Sequence, residues 1–184
     1  MKPETKLLLR WGGFIVFLLI LIVMSWNVVS SNAAHYRTTP EFRNMELANI
    51  TIPYGENNEA MQLVVRVADE DDERSTGFAN IGAGVIEQSV ILVVFNRDVS
   101  VKFSTENVES ALDLMFIDAE GVVLKIYRAE PHSTETYPPD NESFSFQYVL
   151  EAPAGYFDVI NASSTRVVVD LAKFHQQQLN PETQ

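Results

Sequence analysis

Between Arg10 and Arg37 the chain carries no ionised side chain apart from any charge on His35. Inside that interval Phe14 to Met24 (FIVFLLILIVM) is uninterrupted hydrocarbon, with Trp11 and Trp26 at its two ends. The span Trp11–Val29 is 19 residues long, and a helix needs about 20 to cross the hydrocarbon core of a bilayer. A core helix of an ordinary soluble protein keeps a polar face, and this run has none. Tryptophans near both ends suit the interfacial zone of a membrane.

The charge divides at the same place. Residues 1–34 carry Lys2, Lys6 and Arg10 against Glu4, a balance of +2, which leaves −14 on the rest of a chain whose net charge is −12. Basic residues ahead of an apolar span direct the N-terminus to the cytoplasm and the acidic bulk across the membrane. The sequence therefore predicts a cytoplasmic n-region at 1–10 and a transmembrane signal-anchor at 11–29. That is a single-pass inner or plasma membrane protein whose domain is extracytoplasmic, periplasmic or extracellular. The alternative is a cleaved signal peptide, with Ser31-Asn32-Ala33 or Asn32-Ala33-Ala34 before the cut, which would leave the domain secreted. Residues 30–46 read as a polar, irregular tether, 47–171 as a β-rich domain and 172–184 as a C-terminal tail.

Strands are expected at Leu47–Pro53, Met61–Ala68, Val90–Phe95, Val99–Phe103, Leu112–Asp118, Val122–Arg128, Ser145–Glu151 and Arg166–Leu171. Ala119-Glu120-Gly121 joins two of them as a hairpin turn. Asp69–Arg74 (DEDDER) has an acidic residue where an N-cap belongs and Gly77 where the helix would stop. Calcium binding by these carboxylates fails the EF-hand spacing. Ile81–Gly84 reads as a loop, Ala129–Glu142 as a long polar loop with three prolines, and Ala154–Asn161 as a short helix. The fold class is α+β, mostly β: a small antiparallel barrel-like or curled sheet with one or two short helices, behind an N-terminal transmembrane helix.

Composition removes several chemistries. With no cysteine, disulfide scaffolds, thiol nucleophiles, iron–sulfur clusters and cysteine zinc sites are excluded. So acidic a chain is a poor partner for a phosphate backbone, and no nucleic acid is expected. His35, His132 and His175 are scattered without metal-ligand spacing. There is no G-x-S-x-G, P-loop or H-E-x-x-H, and Gly82-Ala83-Gly84 is followed by Glu87 where a dinucleotide motif needs its third glycine. No cofactor and no metal are expected.

Val67-Ala68-Asp69 followed by Glu73-Arg74-Ser75-Thr76-Gly77-Phe78 resembles the A-D-T-x-E-E-R-x-x-G-L-M opening of domain-of-unknown-function family 192. Phe103–Asp118 (FSTENVESALDLMFID) is similar to that family's F-W-M-K-N-T-x-x-P-L-D-I-x-F-I-D. Gly121-Val122-Val123, Tyr137 and Tyr148–Gly155 (YVLEAPAG, against Y-V-L-E-x-x-A-G) continue the match over about residues 61–171. The resemblance implies a small β-rich, barrel-like domain, commonly behind an export signal, with no established activity. Gly77, Asn107, Leu112 and Asp113 match the pattern. Ala79 replaces its methionine, Ser104, Thr105 and Glu106 its Trp-Met-Lys run, Val108 its threonine and Ala111 its proline. If that cluster forms the family's ligand surface, the ligand here is altered or lost.

The candidate ligand-binding residues are Gly77, Phe78, Phe103, Asn107, Asp113 and His132. Alternation places Asp113 on the face of Met115 and Ile117, either as a site carboxylate or as a buried acceptor of backbone or Asn107 hydrogen bonds. His132 is flanked by Glu130 and Glu135 in the long loop. The expected function is a non-enzymatic, membrane-anchored binding domain for an envelope protein or glycan. The alternatives are a small hydrolase or lyase using Asp113 with Asn107 or His132, and an accessory subunit of a larger membrane complex.

Overall fold

In the computed structural model, which describes residues 3–54 and 59–160 and their side chains from Val16 onward, the apolar interval is one helix. Helix α1 runs over Pro3–His35, about 50 Å at 1.5 Å per residue. Its Val16–His35 portion is long and apolar enough to cross a membrane and none of it is buried, a description that fits a membrane anchor and a signal sequence alike. The chain divides into two units, Met1–Tyr36 and Arg37–Gln184.

The second unit is built on one sheet. Its strands are β1 (Glu46–Tyr54), β2 (Glu59–Ala68), β3 (Ile91–Val99), β4 (Leu112–Ile117), β5 (Val123–Ala129) and β6 (Phe146–Pro153). They lie in the order β1-β2-β3-β6-β4-β5. Every neighbouring pair is antiparallel except β2 and β3, which run parallel. A parallel step needs a crossover, and here it contains two short helices, α2 excepted: α3 (Asp71–Thr76) and α4 (Ala83–Ile86), the earlier α2 being Pro40–Asn44. The domain is α+β and mostly β, as expected. The described strands form an open sheet rather than a closed barrel.

The central strands are buried on both faces, whereas β1 and β2 alternate between buried and exposed positions. One face carries Ile50, Val65, Leu92, Met115 and Leu150, closed over by Phe157. The other carries Ile91, Leu114, Phe116 and Val149 beneath Phe78, Ile81 and Ile86 of the crossover. β4 is buried at all six positions, which is why its sequence is apolar on both faces and only Asp113 interrupts it.

Four local expectations are corrected. The segment 30–46 is not irregular throughout: α1 continues to His35, and Thr39 then caps α2 by accepting the Phe42 N–H at 3.2 Å. Phe42 of α2 and Met45, the residue that caps its C-terminus, are 1% and 3% exposed. The Arg66 guanidinium stacks 4.5 Å above the Phe42 ring. Val99–Phe103 is no strand, because β3 itself runs through the polar Asn96–Asp98 to Val99, and Phe103 makes only an isolated bridge with Tyr137. Ile81–Gly84 leads into the single helical turn α4, whose Ile86 is buried. Ala154–Ile160 is a series of turns and not a helix. Gly155 has φ +88°, and the Gly155 and Phe157 N–H groups go to Asp113 instead of to a helical ladder. The expected strand Arg166–Leu171 lies outside the described residues.

Candidate functional site

α3 opens with a capping box in which the Glu73 carboxylate accepts the Glu70 N–H at 3.4 Å. It ends at Gly77, whose N–H donates to the Glu73 carbonyl at 2.9 Å. Gly77 has φ +47° and ψ −125°, a conformation that L side chains rarely adopt. An added Cβ would also meet Glu151 Oε2 at 3.0 Å. The next residue, Phe78, donates its backbone N–H to the Glu151 carboxylate. The end of α3 is thus seated on one acidic side chain of β6.

Glu151 is paired across the sheet with Ile91 and Leu114 and is 7% exposed. Burial pushes its pKa from 4.5 up to about 7, with the Phe78 N–H pulling the other way. Among the described residues no cation is paired with it.

Glu151 lines an open cleft of about 390 Å³. One wall is the Thr76–Ala79 turn, the other is the segment from Val101 to Val108, and Leu112 and Leu114 contribute apolar surface. Phe78, Phe95 and Phe103 belong to the lining, and the Arg74 guanidinium lies 5.7 Å from the Phe95 ring centroid. Phe103 is fixed by two backbone hydrogen bonds with Tyr137, both 2.8 Å, and packs edge-on against Phe116 at 5.7 Å. Thr105, 1% exposed, anchors its segment by donating Oγ1–H to the Glu130 carbonyl at 2.5 Å. The Asn80 N–H donates to the Asn107 carbonyl at 2.8 Å and joins the two walls.

The two basic residues at the rim are engaged elsewhere. Arg74 donates to the carbonyls of Asp69 and Val94 and pairs with Asp71. Lys102 Nζ donates to the carbonyls of Pro138 and Pro139, the latter at 3.0 Å.

Of the residues singled out from sequence, Gly77, Phe78, Phe103 and Asn107 line this cleft. Asp113 and His132 do not. The Asp113 carboxylate, 2% exposed, lies on the opposite face of β4. There it accepts Arg128 Nε–H at 2.9 Å and the Gly155 and Phe157 N–H groups at 2.9 and 3.2 Å. Its partners are therefore Arg128 and a turn, not Asn107. His132 is exposed at φ +54°, with its N–H on the Val108 carbonyl at 3.2 Å. The geometry does not bring Asp113, Asn107 and His132 into one site. Among the described residues no group of three or more His, Asp or Glu side chains is placed to hold a metal ion.

The residue that sequence reading passed over is Glu151. Its signal was present, an acid inside the apolar run Phe146–Pro153 and the glutamate of the YVLE match. Of the positions at which the chain departs from the family pattern, Ala79, Ser104, Thr105, Glu106 and Val108 line the cleft as well, and Ala111 does not.

The fold has solved counterparts. A crystal structure of a Sinorhizobium meliloti 1021 protein, described as a candidate transcription regulator, superposes with a TM-score of 0.59 at 21% identity, over 68% of this chain and 94% of that one. A protein of unknown function from Novosphingobium aromaticivorans DSM 12444 gives 0.56 at 16% identity, over 75% and 96%. At these identities the likeness is one of fold. Among curated protein sequences none matches this chain. The profile of domain-of-unknown-function family 192 (DUF192, described as an uncharacterized ACR) matches residues 54–169, and the chain belongs to that family.

Proposed function

We propose that the chain presents an extracytoplasmic binding domain, held at the membrane by α1, that takes a small ligand in the cleft over Glu151. One observation carries this reading: a carboxyl group that is 7% exposed opens onto a cleft and has no cation paired with it among the described residues. A fold selected for stability alone gains by replacing such a group with an apolar one, because burying a charge without a counter-charge is costly. Ligand sites run from about 300 to 1,000 Å³, so a cleft of about 390 Å³ suits a small molecule or the terminal group of a larger envelope glycan or protein. The basic residues before α1 and the apolar length of Val16–His35 support the membrane placement.

Two measurements on the full chain test the proposal. Protease added to spheroplasts of a bacterial expression host should degrade the domain, and the undigested protein should keep its full 20.7 kDa. Protection of the domain would overturn the placement, and loss of the leader would replace the anchor with a cleaved signal. Amide shift mapping in nonionic micelles, with phenethylammonium, 2-phenylethanol and 3-phenylpropionate as probes, should move Gly77, Phe78 and Asn107 with at least one of them. Unmoved resonances with all three would refute cleft binding.

A further inference from the structure

We propose that the ligand of this cleft is a small organic cation, a protonated amine or guanidinium on an apolar body, with Glu151 as its counter-ion. The inference rests on the binding reading above and narrows it to one chemical class.

Three observations converge on a cation. Glu151 receives one backbone N–H, from Phe78, and its other acceptor positions have no charged partner among the described residues. A carboxylate removed from water is stabilised chiefly by a positive charge at hydrogen-bonding distance. Phe78, Phe95 and Phe103 also contribute to the lining, and aromatic surface attracts cations, as the Arg74 guanidinium 5.7 Å from the Phe95 ring centroid illustrates. Finally, the chain's own rim cations cannot serve: Arg74 is taken up by Asp69, Val94 and Asp71, and Lys102 by Pro138 and Pro139.

The surroundings favour the same sign of charge. The titratable groups on elements packed about the cleft are Asp71, Asp72, Glu73 and Arg74 from α3, the exposed Arg97 and Asp98 at the far end of β3, and Lys102 and Glu106 from the opposite wall. β3 and β4 bring Ile91, Val93, Leu112 and Leu114 to that face. Glu106 is exposed at the rim. Beyond residue 34 the chain carries −14, and such a field draws cations toward it. An anionic ligand would meet Glu151, while Arg74 and Lys102 already donate to backbone carbonyls.

The test is calorimetric titration of the full chain in nonionic micelles at about pH 8, where an amine is protonated and Glu151 ionised. Phenethylammonium is expected to bind about tenfold to a hundredfold more tightly than its neutral counterpart 2-phenylethanol, and 3-phenylpropionate to give no heat. Glu151→Gln, which keeps the shape and removes the charge, is expected to erase the preference for the ammonium. Equal affinity of alcohol and ammonium for the unmodified chain would overturn the inference while leaving the cleft a binding site. A preference that survives in folded E151Q would do the same. If E151Q unfolds, the ammonium-to-alcohol ratio on the unmodified chain decides. That ratio should fall about tenfold per pH unit below the carboxyl's midpoint, and a constant ratio overturns the inference. No heat from any probe, with Gly77, Phe78 and Asn107 unmoved, refutes cleft binding itself.

Discussion

Gly77 and Glu151 are held so close that a Cβ at position 77 would meet Glu151 Oε2 at 3.0 Å. The turn after α3 and the carboxyl of β6 therefore depend on each other. Gly77→Ala adds the strain of φ +47° to that contact, and should cost roughly 1–3 kcal/mol. Chemical denaturation measures the loss. Any ligand affinity should fall with it, because the carboxyl must move to make room.

Burial of Glu151 makes stability depend on pH with a defined sign. An unfolded glutamate ionises near 4.5 and the folded one near 7. Between those values the folded chain holds the extra proton, so stability falls as pH rises through the window. The full effect is about 3 kcal/mol. Glu73 is also raised, chiefly by burial, and adds in the same direction. Denaturation at about pH 5 and pH 8 should show the decline in the unmodified chain and a much shallower one in Glu151→Gln.

Asp113 is a fastener between β4, β5 and the turn after β6, so its removal should cost stability and leave the cleft intact. Asp113→Ala deprives the Gly155 and Phe157 N–H groups of their acceptor. Arg128 is half-exposed and keeps Asp158 at 2.6 Å, so its share is small. The expected loss is roughly 2–4 kcal/mol, with probe binding at the cleft unchanged where the variant remains folded.

Thr105 holds the far wall through its bond to the Glu130 carbonyl. Thr105→Val keeps the volume and leaves that carbonyl unpaired, and should lower stability by about 1 kcal/mol in the same denaturation assay.

What could be read from the sequence was what local chemistry determines. The β4–β5 hairpin follows from Gly121 at φ +81° and from Asp118, whose Oδ1 accepts the Glu120 and Val122 N–H groups at 3.0 and 2.7 Å. The acidic start of α3 and its stop at Gly77 are equally local. The parallel step from β2 to β3 was not legible, since only the register Arg66↔Ile91 across the crossover defines it. Phe42 and Met45 look like stray apolar residues in a polar run until the crossover supplies Phe78 and Ile81 to cover them. Asp113 and Glu151 are both acids inside apolar strands. Alternation gave the face of Asp113 correctly, but it could not give the Phe157 turn that satisfies that carboxyl or the α3 turn that leaves Glu151 facing a cleft.

Glu151 lines the cleft with no counter-ion among the described residues, and the carbon-detected pH titration of its side-chain carboxyl in the full chain tests that most directly. The expected midpoint is about 7, raised by burial. A midpoint at or below the ordinary 4.5 would mean that the group is hydrated or paired, and would contradict a buried carboxyl without a counter-ion.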